Sequence, residues 1–232
     1  VNTDGYKRSR NEFQDLMYET VKEAGGSLGA NAQSPVGIQT GYGVKVGAAH
    51  KIFEQGPARM TYHPFDLMVN GNGFFTVQLP NGDTAYTRTG AFHVDAQGRM
   101  QTAGGAQLVP QITIPNNLEH LVIGTNGLVK ATLSDMNEVV LGQIQLTTFP
   151  NEQGLSALGD SMYKPTVGSG NPIQAVPGEN GVGTIQQGAL EGSNVNVANS
   201  MVELISTQRA YEMGTKVMGV ADQMWGATSN IK

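Results

Sequence analysis

The sequence predicts a mainly β protein closed by one long C-terminal α-helix, and three observations carry that prediction. Residues 64–187 hold short apolar runs punctuated by Asn, Asp and Gly, the pattern of strands joined by tight turns. Residues from Val195 to about Thr228 contain no proline, and glycine only at 214, 219 and 226. The 232-residue chain is 39% hydrophobic and only 14% charged, so it has apolar material for a core and lacks the charge density of a disordered chain. Glycine is abundant, 31 residues, yet with ten prolines it stays below low-complexity levels and is expected to serve turns.

Region by region, the division is 1–63, 64–187 and 188–232. In the first region, Lys7 to Lys22 is helix-compatible, with Phe13, Leu16, Met17, Tyr18 and Val21 at mixed three- and four-residue spacings. Gly25 to Gly47 then carries seven glycines in 23 residues, with Pro35 between them and short extended pieces at 36–38 and 44–46. Such a stretch is either a linker or a functional loop.

The second region reads as β throughout. Phe74–Leu79, a turn at Pro80-Asn81-Gly82-Asp83 and Thr84–Arg88 make a hairpin, Asn-Gly being a strong turn signal because both residues tolerate positive φ. Ala91–Val94 and Arg99–Thr102 flank a second turn at Asp95–Gly98. Gly127–Leu133 and Val139–Leu146 flank a third at Ser134–Asn137. This spacing predicts an antiparallel β-sandwich or irregular barrel. Residues 150–187 read as loops with occasional strands.

In the third region, Ser193, Asn194 and Asn196 offer N-cap oxygens. A helix of about 34 residues rises about 50 Å, more than a small domain can cover. Met201, Leu204, Gln208, Tyr211, Thr215, Met218, Asp222 and Trp225 follow 3, 4, 3, 4, 3, 4, 3 spacing, a coiled-coil-like seam. Val202, Ile205, Val217, Val220, Ala221 and Met224 lie off it, which implies several neighbours. The alternative is a core helix kinked at Gly214 or Gly219, or two shorter helices. The sharper expectation is assembly into a filament by repetition of one heterologous contact.

Chemistry is harder to find. There are no cysteines, which removes disulfides, thiolate zinc sites and a Cys nucleophile. His50, His63, His93 and His120 lack metal-ligand spacing, and Gly71-Asn72-Gly73 enters a strand where a dinucleotide fingerprint requires a helix. Asp66, Asp83, Asp95, Asp135 and Glu138 fall in or beside turns. A formal net charge of −5 and no basic block beyond Lys7-Arg8-Ser9-Arg10 argue against nucleic acid. No apolar run approaches a membrane span, and no signal peptide opens the chain, which starts at Val1. The expectation is a structural protein with no catalytic residue, cofactor, metal or membrane insertion.

Val1-Asn2-Thr3-Asp4-Gly5-Tyr6-Lys7-Arg8 resembles the end of the N-terminal signature of the bacterial flagellar rod and hook axial family. Gly192-Ser193-Asn194-Val195-Asn196-Val197-Ala198, continuing through Val202–Ile205 to Gln208–Glu212, is similar to the family's C-terminal signature. Val69–Phe75, Tyr86–Phe92 and Thr102–Gly105 resemble its β-domain segments, and the likeness over nearly the whole chain is to subunits of the distal rod.

The resemblance implies a homo-oligomeric hollow tube, a rigid driveshaft carrying torque to the hook, with terminal helices inside and β domains outside. It implies contacts with other rod subunits, hook subunits and the surrounding basal-body rings, and type III export without a cleaved signal. The 25–47 stretch falls where the family has a segment bracing neighbouring subunits, which favours the interface reading of that stretch. An N-terminal helix would precede Val1. The assembly residues expected are Val197, Met201, Leu204, Ile205, Tyr211 and Met218 for helix packing. Asn2, Gly5 and Lys7 are expected to shape the turn out of the preceding helix, Gly5 through a positive φ. The alternatives are another rod or hook subunit, or a secreted carbohydrate-binding β-sandwich.

Overall fold

The computed structural model describes residues 2–22, 27–29, 32–33, 36–134 and 137–229. Val1, Gly25, Gly26, Pro35 and Asp135, named above, lie outside them. Strand Phe74–Gln78 sits at the centre of the body. One of its edges pairs with Thr84–Thr87; the other is shared by Gln107–Val109 and Leu146–Thr148, all antiparallel. Its neighbours extend this into a nine-stranded sheet among the described residues.

The period of two along this strand explains why Phe74-Phe75-Thr76-Val77 is buried without interruption. Phe75 and Val77 enter the main core, with Leu108, Val129, Ile144 and Leu146. Phe74 faces the other way, into an aromatic cluster with Tyr86, Phe149 and Tyr163. Its rings meet edge-on, Tyr86 and Phe149 at 4.8 Å and Phe74 and Phe149 at 6.0 Å. Thr76 shares the Phe74 side and meets the buried Thr147 hydroxyl at 2.8 Å.

A three-stranded meander, Leu118–Ile123, Leu128–Leu133 and Glu138–Gln143, turns Leu121, Ile123 and Val129 into the same core. The sheets are open: the path runs from Phe92–Val94 to Ser156–Gly159 and does not return, so the expected barrel is not formed.

The first two expected hairpins form, by a tighter rule than anticipated. At 79–83 the loop is three residues long: Gly82 N–H donates to the Leu79 carbonyl at 2.9 Å, and Leu79 N–H to the Asp83 carbonyl at 2.8 Å. Only Gly82 has positive φ, +89°, and Asn81 instead accepts from Asp83 N–H through its side chain at 3.0 Å. This is a type I turn closed by a left-handed glycine rather than a two-residue Asn-Gly turn. The same bond pair recurs at 95–99, 102–106 and 124–128, with Gly98, Gly105 and Gly127 in the glycine position. In the third hairpin, 128–133 pairs with 138–143, and the chain then crosses to the central sheet at Leu146.

The helix expected within Lys7–Lys22 is absent. Ser9–Asp15 and Tyr18–Lys22 are strands, antiparallel to Val44–Lys51 and Ile38–Gly41. The apolar spacings there never settle to a sustained 3.6 period, and the two partner strands supply β-branched Val44, Val46 and Ile38. Gly43, at φ +101°, carries the bend between the two pairs.

The chain re-enters the body's edge through Ala58–Met60 and Leu67–Asn70. These pair with the returning strands Ala189–Glu191 and Thr184–Gln187. Beyond them Val197–Ser229 forms one continuous helix, neither split nor divided in two. Asn196 caps it, its side-chain oxygen accepting from Asn199 N–H at 3.2 Å.

Candidate assembly interface

The two signature ends of the sequence meet. Gly5 N–H donates to the Glu191 carbonyl at 2.7 Å, and Arg8 N–H donates to Asn194 Oδ1 at 2.8 Å. Asn194 Nδ2 in turn donates to the Ile52 carbonyl at 2.8 Å. Thr89 Oγ1 donates to the Asp4 carbonyl at 3.0 Å, tying the same segment to the β body. Gly5 adopts φ +66°, and a side chain there would press on Thr89.

Lys7 is fully buried. Its ammonium donates to Glu191 Oε1 at 2.5 Å and to the Glu54 carbonyl at 2.7 Å. Glu191 Oε1 also accepts Gly56 N–H at 2.9 Å, and Arg88 Nη1 lies 3.5 Å from Glu191 Oε2 while donating to the Gly71 carbonyl at 2.8 Å. Burial pulls the Lys7 ammonium below the usual lysine range, opposed by the hydrogen bond and charge of Glu191. Asn2 is exposed and lines an open cleft of about 840 Å³ with Asp4, Thr89, Ser161 and Tyr163.

Of the three N-terminal residues expected to shape the chain's turn, Gly5 and Lys7 thus lie inside the body's own joint. Glu191, Arg88 and Thr89 were missed from sequence. Glu191 sits just before the C-terminal signature, and Arg88 stands within one of the quoted β-domain segments, which were the available signals.

The six expected helix residues occupy the opposite environment. Residues 197–226 of the helix are all exposed. Leu204 is 58% and Tyr211 74% exposed, and Val197, Met201, Ile205 and Met218 are likewise open. Gly214 and Gly219 have open space where a side chain would stand. The helix leaves the body and carries an apolar circumference with it.

The N-terminal ribbon is also uncovered. Its register places Phe13, Met17, Tyr42, Val44 and Val46 on one face, all exposed, with Gln14, Tyr18, Gln39 and Lys45 on the other. Tyr18 lies over Gly41, and Gln14 over Gly47, where no side chain intervenes. The same face also carries Asp15 and Glu19, and a two-stranded ribbon with so much exposed apolar surface is marginal by itself. Among the described residues no group of three metal-ligating side chains gathers, and no helix is long and apolar enough to cross a membrane.

A β body bearing an exposed helix and an exposed ribbon has the form expected of a subunit of an extended assembly. Comparison with known proteins gives the class a name. Residues 68–131 match the family described as the flagellar hook protein FlgE/F/G D1 domain, and residues 186–231 the flagellar basal body rod FlgEFG protein C-terminal family.

The flagellar basal-body rod protein FlgG of Buchnera aphidicola subsp. Schizaphis graminum is 44% identical over 225 residues, covering 97% of this chain and 86% of the relative. FlgG of Caulobacter vibrioides is 44% identical over 234 residues, covering 100% and 89%. FlgF of the same bacterium is 33% identical over 223 residues, covering 94% and 81%. Among solved structures, the Helicobacter pylori flagellar hook protein FlgE2 aligns over 68% of this chain and 46% of its own, at 15% identity and a TM-score of 0.28. The chain belongs to the family of flagellar basal-body rod proteins, a family of structural components.

Proposed function

We propose that this protein is the structural subunit of the distal rod of the bacterial flagellum. It polymerises into a rigid hollow driveshaft that transmits torque from motor to hook. The observation that carries this reading is the helix Val197–Ser229: about 50 Å of helix with apolar side chains on most of its circumference, left exposed by the rest of the described residues.

Packed among copies of itself, the helix buries Val197, Met201, Leu204, Ile205, Tyr211 and Met218 and forms the inner wall. The β bodies lie outside. The ribbon of residues 9–22 and 38–51 lays its Phe13, Met17, Tyr42, Val44 and Val46 face on a neighbouring subunit and braces the tube. Asn2, at the mouth of the cleft, belongs to the same contact zone. Neighbours along the axis are other rod subunits and the hook, with basal-body rings around them, and the subunit reaches its place in the periplasm through the flagellar type III exporter. The margin between the two Caulobacter relatives, 44% for FlgG against 33% for FlgF, favours the FlgG-type subunit over another rod subunit. The molecule's role is mechanical, and no cofactor enters it.

Electron microscopy of the full-length protein after polymerisation tests the reading. Straight hollow tubes are expected. A species that stays monomeric at high concentration, with its helix already protected from hydrogen exchange, would refute it.

A further inference from the structure

We propose that the buried triad Lys7–Glu191–Arg88 is a registry lock: it holds residues 2–8 against residues 189–194 in a single setting and thereby fixes the direction in which the long helix leaves the body. This rests on the rod reading, because a fixed direction matters where helices must pack into one lattice.

Three features of the triad point to registry rather than stability. Its members come from three segments distant in sequence, and each side chain is no more than 1% exposed. Buried ion pairs are poor stabilisers compared with apolar side chains of similar volume, and their best-attested use is to specify one arrangement over near alternatives. Among the described residues the triad is also incompletely satisfied: none of them offers a hydrogen bond to Arg88 Nε or Glu191 Oε2, which is not how a site built for maximal stability looks.

The geometry makes slippage costly. Glu191 ends the strand Ala189–Glu191, whose register against Ala58–Met60 sets where the chain emerges. Glu191 Oε1 accepts from both Lys7 Nζ and Gly56 N–H, so one carboxylate oxygen reads the N-terminal segment and the entering strand together. A shift of one residue would swing this carboxylate to the opposite face and leave the buried Lys7 ammonium and Arg88 guanidinium without its charge. Helix residue Val197 begins only six positions beyond Glu191, so the locked register propagates into the helix. Arg88 holds the arrangement to the β body through the Gly71 carbonyl and the face of Phe74, 5.3 Å away.

The test compares the full-length protein with the triple variant Lys7→Met/Arg88→Met/Glu191→Met and the double variant Lys7→Met/Glu191→Met, in which Arg88 keeps Gly71 and Phe74. Melting, residue-resolved hydrogen exchange and electron microscopy of polymers are read together. The lock predicts that at least one variant melts within about 5 °C of the parent. In that variant the Gly5 and Arg8 amides exchange at least about tenfold faster, and tubes are lost or no longer share one helical symmetry. Unchanged protection at Gly5 and Arg8 overturns the proposal, as does parent-like assembly once protection is lost, or failure of both variants to fold. If the parent itself forms no tubes, the rod reading fails, while exchange at the two amides still decides whether the triad sets the register.

Discussion

Replacing Leu204 by Asp puts a charge on the bare seam of the long helix. In the isolated subunit the change is cheap: Leu204 is 58% exposed, and surface substitutions of this kind stay within about 0.5 kcal/mol. For a chain of this length that shifts melting by at most about 2 °C. In the proposed tube the same side chain is expected to be covered. Covering the 58% of Leu204 that the subunit leaves exposed is worth about 1–2 kcal/mol, and an unpaired buried carboxylate costs several more. With about 1.4 kcal/mol per factor of ten, the leucine loss alone raises the concentration needed for assembly about fivefold to twentyfold. Thermal denaturation of the subunit, with sedimentation and electron microscopy of the polymer, measures both arms. Phe75→Ala is the reference: this side chain is fully buried in the main core, so its loss costs about 3–5 kcal/mol and lowers melting by about 6–20 °C. A Leu204→Asp protein with a much lowered melting temperature and normal tubes would refute the division between body and helix.

Three further changes probe the body and its joint. Gly5→Ala forces a side chain into a left-handed backbone against Thr89 and is expected to cost about 1–2 kcal/mol, seen as lower melting and faster exchange at the Gly5 position. Thr76→Val strands the buried Thr147 hydroxyl and costs about 1–3 kcal/mol, whereas Thr76→Val with Thr147→Val is nearly neutral; a double variant no better than the single one removes the pairing argument. Burial pushes the Tyr163 phenol up to about 12 from an ordinary value near 10.0. The unfolded chain therefore ionises first, and the phenol's contribution is lost as pH rises from about 10 to 12. Tyr163→Phe should flatten that stretch of the stability-against-pH curve measured by urea unfolding, and an unchanged slope would assign it to other groups.

What was readable in advance follows from where each signal lives. The 74–87 and 92–102 hairpins were legible because their alternation and their glycines are local: a turn needing positive φ at one residue announces itself in five letters. The helix 197–229 was legible for the same reason, as a long proline-free run with a cap.

Residues 9–22 misled because their apolar residues cover neither a helix face nor a packed strand. Phe13 and Met17 are exposed, so no buried side imprints a period, and the pairing with 38–51 is non-local. The joint was half visible. Both signature ends could be marked, and Lys7 with them, but its partner Glu191 is 184 residues away, and a buried glutamate spells the same as a surface one. Arg88 was hidden likewise, a cation at the end of a strand whose burial depends on the whole body closing around it.

Residues 2–8 and 189–194 run side by side, so the chain enters and leaves the β body at one doorway. Between them lie the exposed ribbon and the β body, both tethered at this one point. A folded passenger grafted onto an exposed hairpin tip such as Pro80–Asp83 would therefore leave that doorway unmoved.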